Sequence, residues 1–160
     1  MGKNRIMKDI NGQEICGYQI KIISLQKTAY ITIKDQNGKT YIIATIKVKI
    51  QFDASADIYL HNPPVDIDYV TTNGMPVSIT VEGDILARKY DFMMGNPNTN
   101  PFKIAKAVRK FKWLRERLSK NDTYFLEIGP NVDAAFIYMC AYAVDELFRD
   151  GNYILCTKLF

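Results

Sequence analysis

From Ala134 to Val144 eleven consecutive residues are apolar, and charge returns only at Asp145-Glu146. No other stretch of the chain restricts its fold as strongly. Asn131 or Asp133 can cap a helix there, Pro130 precedes it, and Asp150-Gly151 supplies the expected stop. The run is apolar all round rather than along one stripe, so such a helix has to be enclosed on every side. Eleven residues rise about 16 Å, roughly half of a hydrocarbon core. The run therefore predicts a helix buried inside the protein and not one that crosses a membrane.

Strands suited to enclosing that helix come before it. Asn11-Gly12, Asn37-Gly38 and Asn73-Gly74 are each a dipeptide that tight hairpin turns prefer, because glycine accepts the positive φ such turns require. Tyr18, Ile20 and Ile22 alternate with Gln19 and Lys21, and Ile31 and Ile33 alternate with Thr32 and Lys34. Between Tyr41 and Ile50 one face reads Ile42, Ala44, Ile46, Val48, Ile50, the period of two that marks a half-buried strand. His61-Asn62-Pro63-Pro64 reads as a loop, after which Val77, Ile79 and Val81 resume the alternation. Gly95 to Pro101 is a polar loop too short to link two domains, and no internal repeat divides the chain. The predicted fold class is mostly β: an antiparallel sheet curled or closed around a central hydrophobic helix.

Composition excludes several kinds of chemistry. The single histidine, His61, rules out a His-rich metal site and the HExxH arrangement. Cys16, Cys140 and Cys156 form no CxxC pair, so neither a zinc ribbon nor a disulfide framework is expected and a reducing compartment is. No nucleophile elbow, P-loop or dinucleotide-binding glycine pattern is present, and no cofactor is expected. His61 beside two prolines reads as a loop residue without an oriented nucleophile, and Asp53, Asp57, Asp66 and Asp68 read as solvated turn acids. Cys140 lies within the apolar run, where a thiol behaves as a small hydrophobe. The amino terminus shows no signal or transit peptide, and neither a myristoylation nor a prenylation motif is completed, so a cytoplasmic protein is expected.

Charge is concentrated in one segment. Phe102 to Lys120 carries Lys103, Lys106, Arg109, Lys110, Lys112, Arg115, Arg117 and Lys120 against Glu116 alone, a net +7 in a chain whose total is +4. Phe111 and Trp113 are interleaved with these bases. Such a patch attracts phosphate, on phosphoinositides or on nucleic acid. The plainer reading is a solvated face. Ile104, Ala107, Val108, Phe111, Leu114 and Leu118 recur at helical spacing, so periodicity alone predicts an amphipathic helix here.

Gly83-Asp84 followed by Ile85 to Phe92, then Lys103-Ile104-Ala105-Lys106, then Asp122-Thr123-Tyr124-Phe125-Leu126-Glu127-Ile128, and last the helix closing with Val144-Asp145-Glu146-Leu147 occur in a telling order. In that order, and in the hairpins at Asn11-Gly12 and Asn37-Gly38, the chain resembles the LURP-one-related proteins. These belong to the tubby-like superfamily together with the phospholipid scramblases. The resemblance implies one domain over residues 1–160, with a core from 9 to 149 and a tail from 150 to 160. It implies a barrel threaded by the carboxyl-terminal helix, and a strand rather than a helix from Ile104 to about Phe111. The family has further strands ahead of the Asn11-Gly12 hairpin, so the barrel is expected to be open or to be completed by Tyr153-Ile154-Leu155 as an extra strand. Of a scramblase-type calcium loop only Asp122 and Asp133 remain, with Lys120 and Asn131 where acids would be wanted, so no metal site is expected.

The resulting expectation is a non-enzymatic binding module that meets an acidic phospholipid or phosphoinositide surface, peripheral at a membrane, through the basic segment. Nucleic acid is not the expected partner. The alternative is an assembly subunit whose open barrel edge is covered by a protein partner or a second copy. Scramblase-like lipid transfer ranks third.

Overall fold

A computed structural model describes residues 4–22, 27–49, 54–66, 68, 70–84, 89–95, 100–109 and 124–156. Among these residues nine strands precede one helix: β1 (Asn4–Lys8), β2 (Glu14–Ile22), β3 (Lys27–Lys34), β4 (Thr40–Lys49), β5 (Ala54–Asp66), β6 (Ile79–Asp84), β7 (Lys89–Met94), β8 (Phe102–Arg109), β9 (Tyr124–Ile128) and α1 (Ala134–Cys156). All nine form one antiparallel sheet in chain order, each strand paired with its sequence neighbours. Among the described residues β1 and β9 are its two ends, so the sheet is curled but not closed.

Two of the three expected hairpins form, with loops longer than two residues. Asp9 and Asp35 begin them, each carboxylate accepting backbone N–H groups two and four residues on at 2.8–2.9 Å, and Gly12 and Gly38 take φ of +83° and +80°. These are Asx-anchored turns that close five-residue loops. Asn73-Gly74 does turn the chain, but within the connection from 67 to 78 rather than between adjacent strand ends.

Packing is directed inward. Ile31, Ile46, Ile58, Val81 and Phe92 are fully buried in one cluster with Ile137, Cys140, Val144 and Leu147 of α1, and the helix packs directly on β2, β3, β4 and β9. Each such aliphatic side chain contributes about 1.5–3 kcal/mol on leaving water. The apolar run is therefore a helix that the sheet covers along most of its length but not on every side, short of the full enclosure its all-round hydrophobicity predicts. One side stays more open: Tyr138 is 39% exposed and packs on Tyr142 with ring centroids 4.9 Å apart. No helix among the described residues is long and apolar enough to cross a membrane.

Two sequence expectations are corrected, and a third point, helix by periodicity against strand by resemblance, is decided for the strand as far as Arg109. The helix does not stop at Asp150-Gly151 but continues to Cys156, so Tyr153-Ile154-Leu155 are helical and add no strand to the sheet. A helix-interior glycine costs only about 1 kcal/mol relative to alanine, and no proline follows to end the helix. His61-Asn62-Pro63-Pro64 is part of β5 and not a loop. Its prolines are tolerated because Ile42 pairs with Val65 and Ala44 with Leu60, so residues 61–64 bulge out opposite Ile43 alone, where a missing N–H breaks no ladder bond. Phe102–Arg109 is a strand despite its helical periodicity. Placed between β7 and β9, it sets Ala105 and Ala107 opposite Phe92 and Tyr90 in the core, and sheet pairing on both sides outweighs local pattern.

The β6–β7 pair also shows how tightly the sheet meets the helix. Tyr90 lies opposite Gly83, is 1% exposed, donates its hydroxyl to the Asp145 carboxylate at 3.2 Å and stacks on Phe148. Gly83 is needed for space: a Cβ there would lie 2.3 Å from the Lys89 carbonyl oxygen and 2.7 Å from the Tyr90 ring. Asp145 and Glu146, the charged pair that ends the apolar run, are themselves buried.

Candidate functional site

The basic segment begins on β8. Lys103 and Lys106 sit opposite β7 and β9, on the side of the strand away from Ala105 and Ala107. Neither presents an uncompensated charge. The Lys103 ammonium meets Asp91 at 2.9 Å and the Lys106 ammonium approaches Glu127 at 3.6 Å, both at partly exposed positions. Arg109 ends the strand, its backbone opposite Tyr124. Lys110, Lys112, Arg115, Arg117 and Lys120 lie outside the described residues, as does Asp122. Of the calcium-type remnant, Asp133 has a structural role: its carboxylate accepts the Phe136 N–H at 3.0 Å and caps α1. No cluster of metal-ligating side chains occurs among the described residues.

Of the expected turn acids, Asp68 is exposed in the connection after β5, whereas others sit in strands. Asp57 is a nearly buried residue of β5 that meets Lys49 at 2.7 Å, and Asp66 ends β5 against Lys39 at 2.7 Å. Asp53 lies outside the described residues. His61 is buried in β5, with Nε2 2.8 Å from the Thr45 hydroxyl on β4, and burial lowers its pKa below the usual imidazole range. It is a held side chain, hydrogen-bonded to a hydroxyl of the neighbouring strand. Cys16 and Cys140 are buried, and burial raises both thiols above their ordinary range.

A feature that sequence reading did not anticipate is a cavity of about 550 Å³ at the amino-terminal end of α1. Leu60, Met94, Phe136 and Ile137 line it together with Ile43 and Ile104. These last two residues are the ones skipped by the register shifts in β4 and β8: Ile43 falls between the pairs Ile42–Val65 and Ala44–Leu60, and Ile104 between Phe92–Ala105 and Met93–Lys103. Two bulges thus spread the sheet at the place where the helix enters. The signal available in the sequence was Pro63-Pro64 within an otherwise regular strand, which marks a bulge once a loop is ruled out.

Comparison with known proteins gives one match. A family model described as LURP-one-related matches residues 1–145. No curated protein and no solved structure matches the chain.

Proposed function

The chain belongs to the LURP-one-related family, and on that premise we propose that it is a non-enzymatic binding module that meets anionic phospholipid surfaces, phosphoinositide-bearing ones above all. The observation that carries this reading is the net +7 of Phe102 to Lys120. Because Lys103 and Lys106 are matched by Asp91 and Glu127, the contact is assigned to Arg109 through Lys120, which holds six bases against one acid. A basic residue near an acidic leaflet contributes about 1 kcal/mol, so three replaced bases weaken binding about a hundredfold.

Sedimentation of the protein with liposomes, neutral against acidic and phosphoinositide-doped, across a salt series tests this. Selective binding that weakens with salt and is lost in Arg109→Glu/Lys110→Glu/Lys112→Glu is expected, while Lys103→Gln/Lys106→Gln stays near wild type. Equal sedimentation of the triple variant and wild type, or equal binding to neutral vesicles, overturns the reading.

A second reading, an assembly subunit, is favoured by the two sheet ends. Among the described residues β1 and β9 each pair with one strand only, and Ile6 on β1 is 53% exposed. Strand edges of this kind are templates for pairing with another chain. A concentration-independent monomer in analytical ultracentrifugation counts against self-association.

A further inference from the structure

We propose that the cavity at the amino-terminal end of α1 is a binding site for a small uncharged molecule with an aliphatic body and one hydrogen-bonding end, an aliphatic alcohol or amide in chemical class. The site shares Ile104 with the start of the basic segment but none of that segment's lysines or arginines among the described residues, and it requires no membrane.

Its size comes first. About 550 Å³ lies well within the roughly 300–1,000 Å³ of small-molecule sites. A dry cavity of about 150 Å³ lined by aliphatic and aromatic side chains already takes up benzene. The site here is open to solvent on its polar side, but its inner wall is of that kind, with Ile43 on β4, Leu60 on β5, Ile104 on β8 and Phe136 on α1 facing one space. Its construction points the same way. Two register shifts on separate strands converge on it, each turning an isoleucine without a cross-strand partner towards the space. Bulges that re-aim side chains are characteristic of the surroundings of binding sites.

Charge then selects the ligand. Among the described residues the cavity has no lysine or arginine in its lining, and its titratable groups are His61 and Asp133. Asp133, exposed and held as the helix cap, puts one negative charge on the lining. His61 is held by Thr45 and offers imidazole without a positive charge, and Asn62 and Asn131 supply neutral hydrogen-bonding groups. A carboxylate entering this site would lose its hydration and meet a like charge that offsets the pull of the helix amino terminus, and an ammonium head would lose its hydration and face that terminus with one carboxylate in return. A hydroxyl or amide needs only one neutral partner.

The test uses the full chain in solution without lipid. Phenylnaphthylamine, a dye that brightens in apolar sites, is titrated to saturation and displaced with decanol, decanoate or decylamine. Saturable dye binding is expected, with decanol displacing it at a concentration about tenfold below either charged analogue. Leu60 on β5 and Val132 ahead of α1 both line the cavity, so Leu60→Trp and Val132→Trp should each fill part of it, and a variant that retains the wild-type circular dichroism should lose the dye. In Asp133→Asn, which still caps the helix, decanoate should approach decanol in potency. Undiminished dye binding in either folded tryptophan variant overturns the site. Tighter displacement by a charged analogue overturns the ligand class, and where neither tryptophan variant folds, an unchanged decanoate-to-decanol ratio in Asp133→Asn does so. Liposome sedimentation by the same tryptophan variants should be unaltered, so failure here is distinct from failure of the membrane reading.

Discussion

Replacing Gly83 by alanine places one methyl group between β6 and β7, and the structure fixes what it meets. The new Cβ would stand 2.3 Å from the Lys89 carbonyl oxygen and 2.7 Å from the Tyr90 ring. The first of these is backbone, so no side-chain rotation relieves it, and the strands must part or Tyr90 must leave its place. Tyr90 cannot move cheaply, because it is stacked on Phe148 and hydrogen-bonded to the buried Asp145. Overpacking of this kind costs about 3 kcal/mol at its upper end. The narrower unfolded ensemble of alanine returns up to about 1 kcal/mol. The net expectation is a loss of about 2 kcal/mol, which for a domain of this size lowers the melting temperature by about 4–8 °C. Thermal unfolding followed by circular dichroism measures it, with urea titration as the isothermal check. A variant that melts within a degree of wild type would refute the claim that β6, β7 and α1 are packed at contact distance here.

Three further outcomes are expected. Tyr90→Phe removes the hydroxyl donated to Asp145 and should cost about 1–3 kcal/mol in urea unfolding, since a buried carboxylate loses a donor; an unchanged midpoint would show that this bond adds nothing. Cys16 and Cys140 should resist alkylation in the native protein and react in denaturant, read site by site by mass spectrometry, because both thiols are buried and shifted away from the thiolate form. His61 should make stability fall with acid. Burial lowers its folded pKa below 6.5, so the unfolded chain binds the proton first. Stability is then complete above that value and declines as pH falls through it towards the folded pKa, and His61→Gln should show a smaller decline in melting temperature between neutral and mildly acidic buffer.

Much of the architecture is written in short-range pattern. The alternation at Tyr18-Ile20 and at Ile42 to Ile46 places the inward residues correctly, since a period of two has only one buried face to choose. The apolar run at Ala134 to Val144 calls for a covering sheet, and the sheet provides it except on the side of Tyr138. What pattern could not carry depends on partners distant in sequence. Phe102–Arg109 has helical periodicity and is a strand because β7 and β9 lie on either side of it. His61 to Pro64 looks like a loop and is a bulged strand because β4 holds both flanks in register. The charge of the basic segment was legible as a sum, but its neutralisation at Lys103 and Lys106 by Asp91 and Glu127 was not, because those acids belong to the neighbouring strands. The cavity was invisible for the same reason: it exists where two register shifts, some sixty residues apart, meet one helix end.

The strict chain-order meander, with the helix after it, has a consequence for synthesis. A ribosome delivers all nine strands before the first turn of α1, and each strand finds its partner beside it in the newly made chain. The concave face bearing Ile31, Ile46, Ile58 and Val81 is thus assembled while its filling is still inside the exit tunnel. At about 5–20 residues per second this exposed interval lasts seconds, long against the microseconds in which hairpins form. A nascent chain halted before Ala134 should accordingly be a sticky half-barrel that recruits chaperones, and emergence of α1 should be the event that ends their hold.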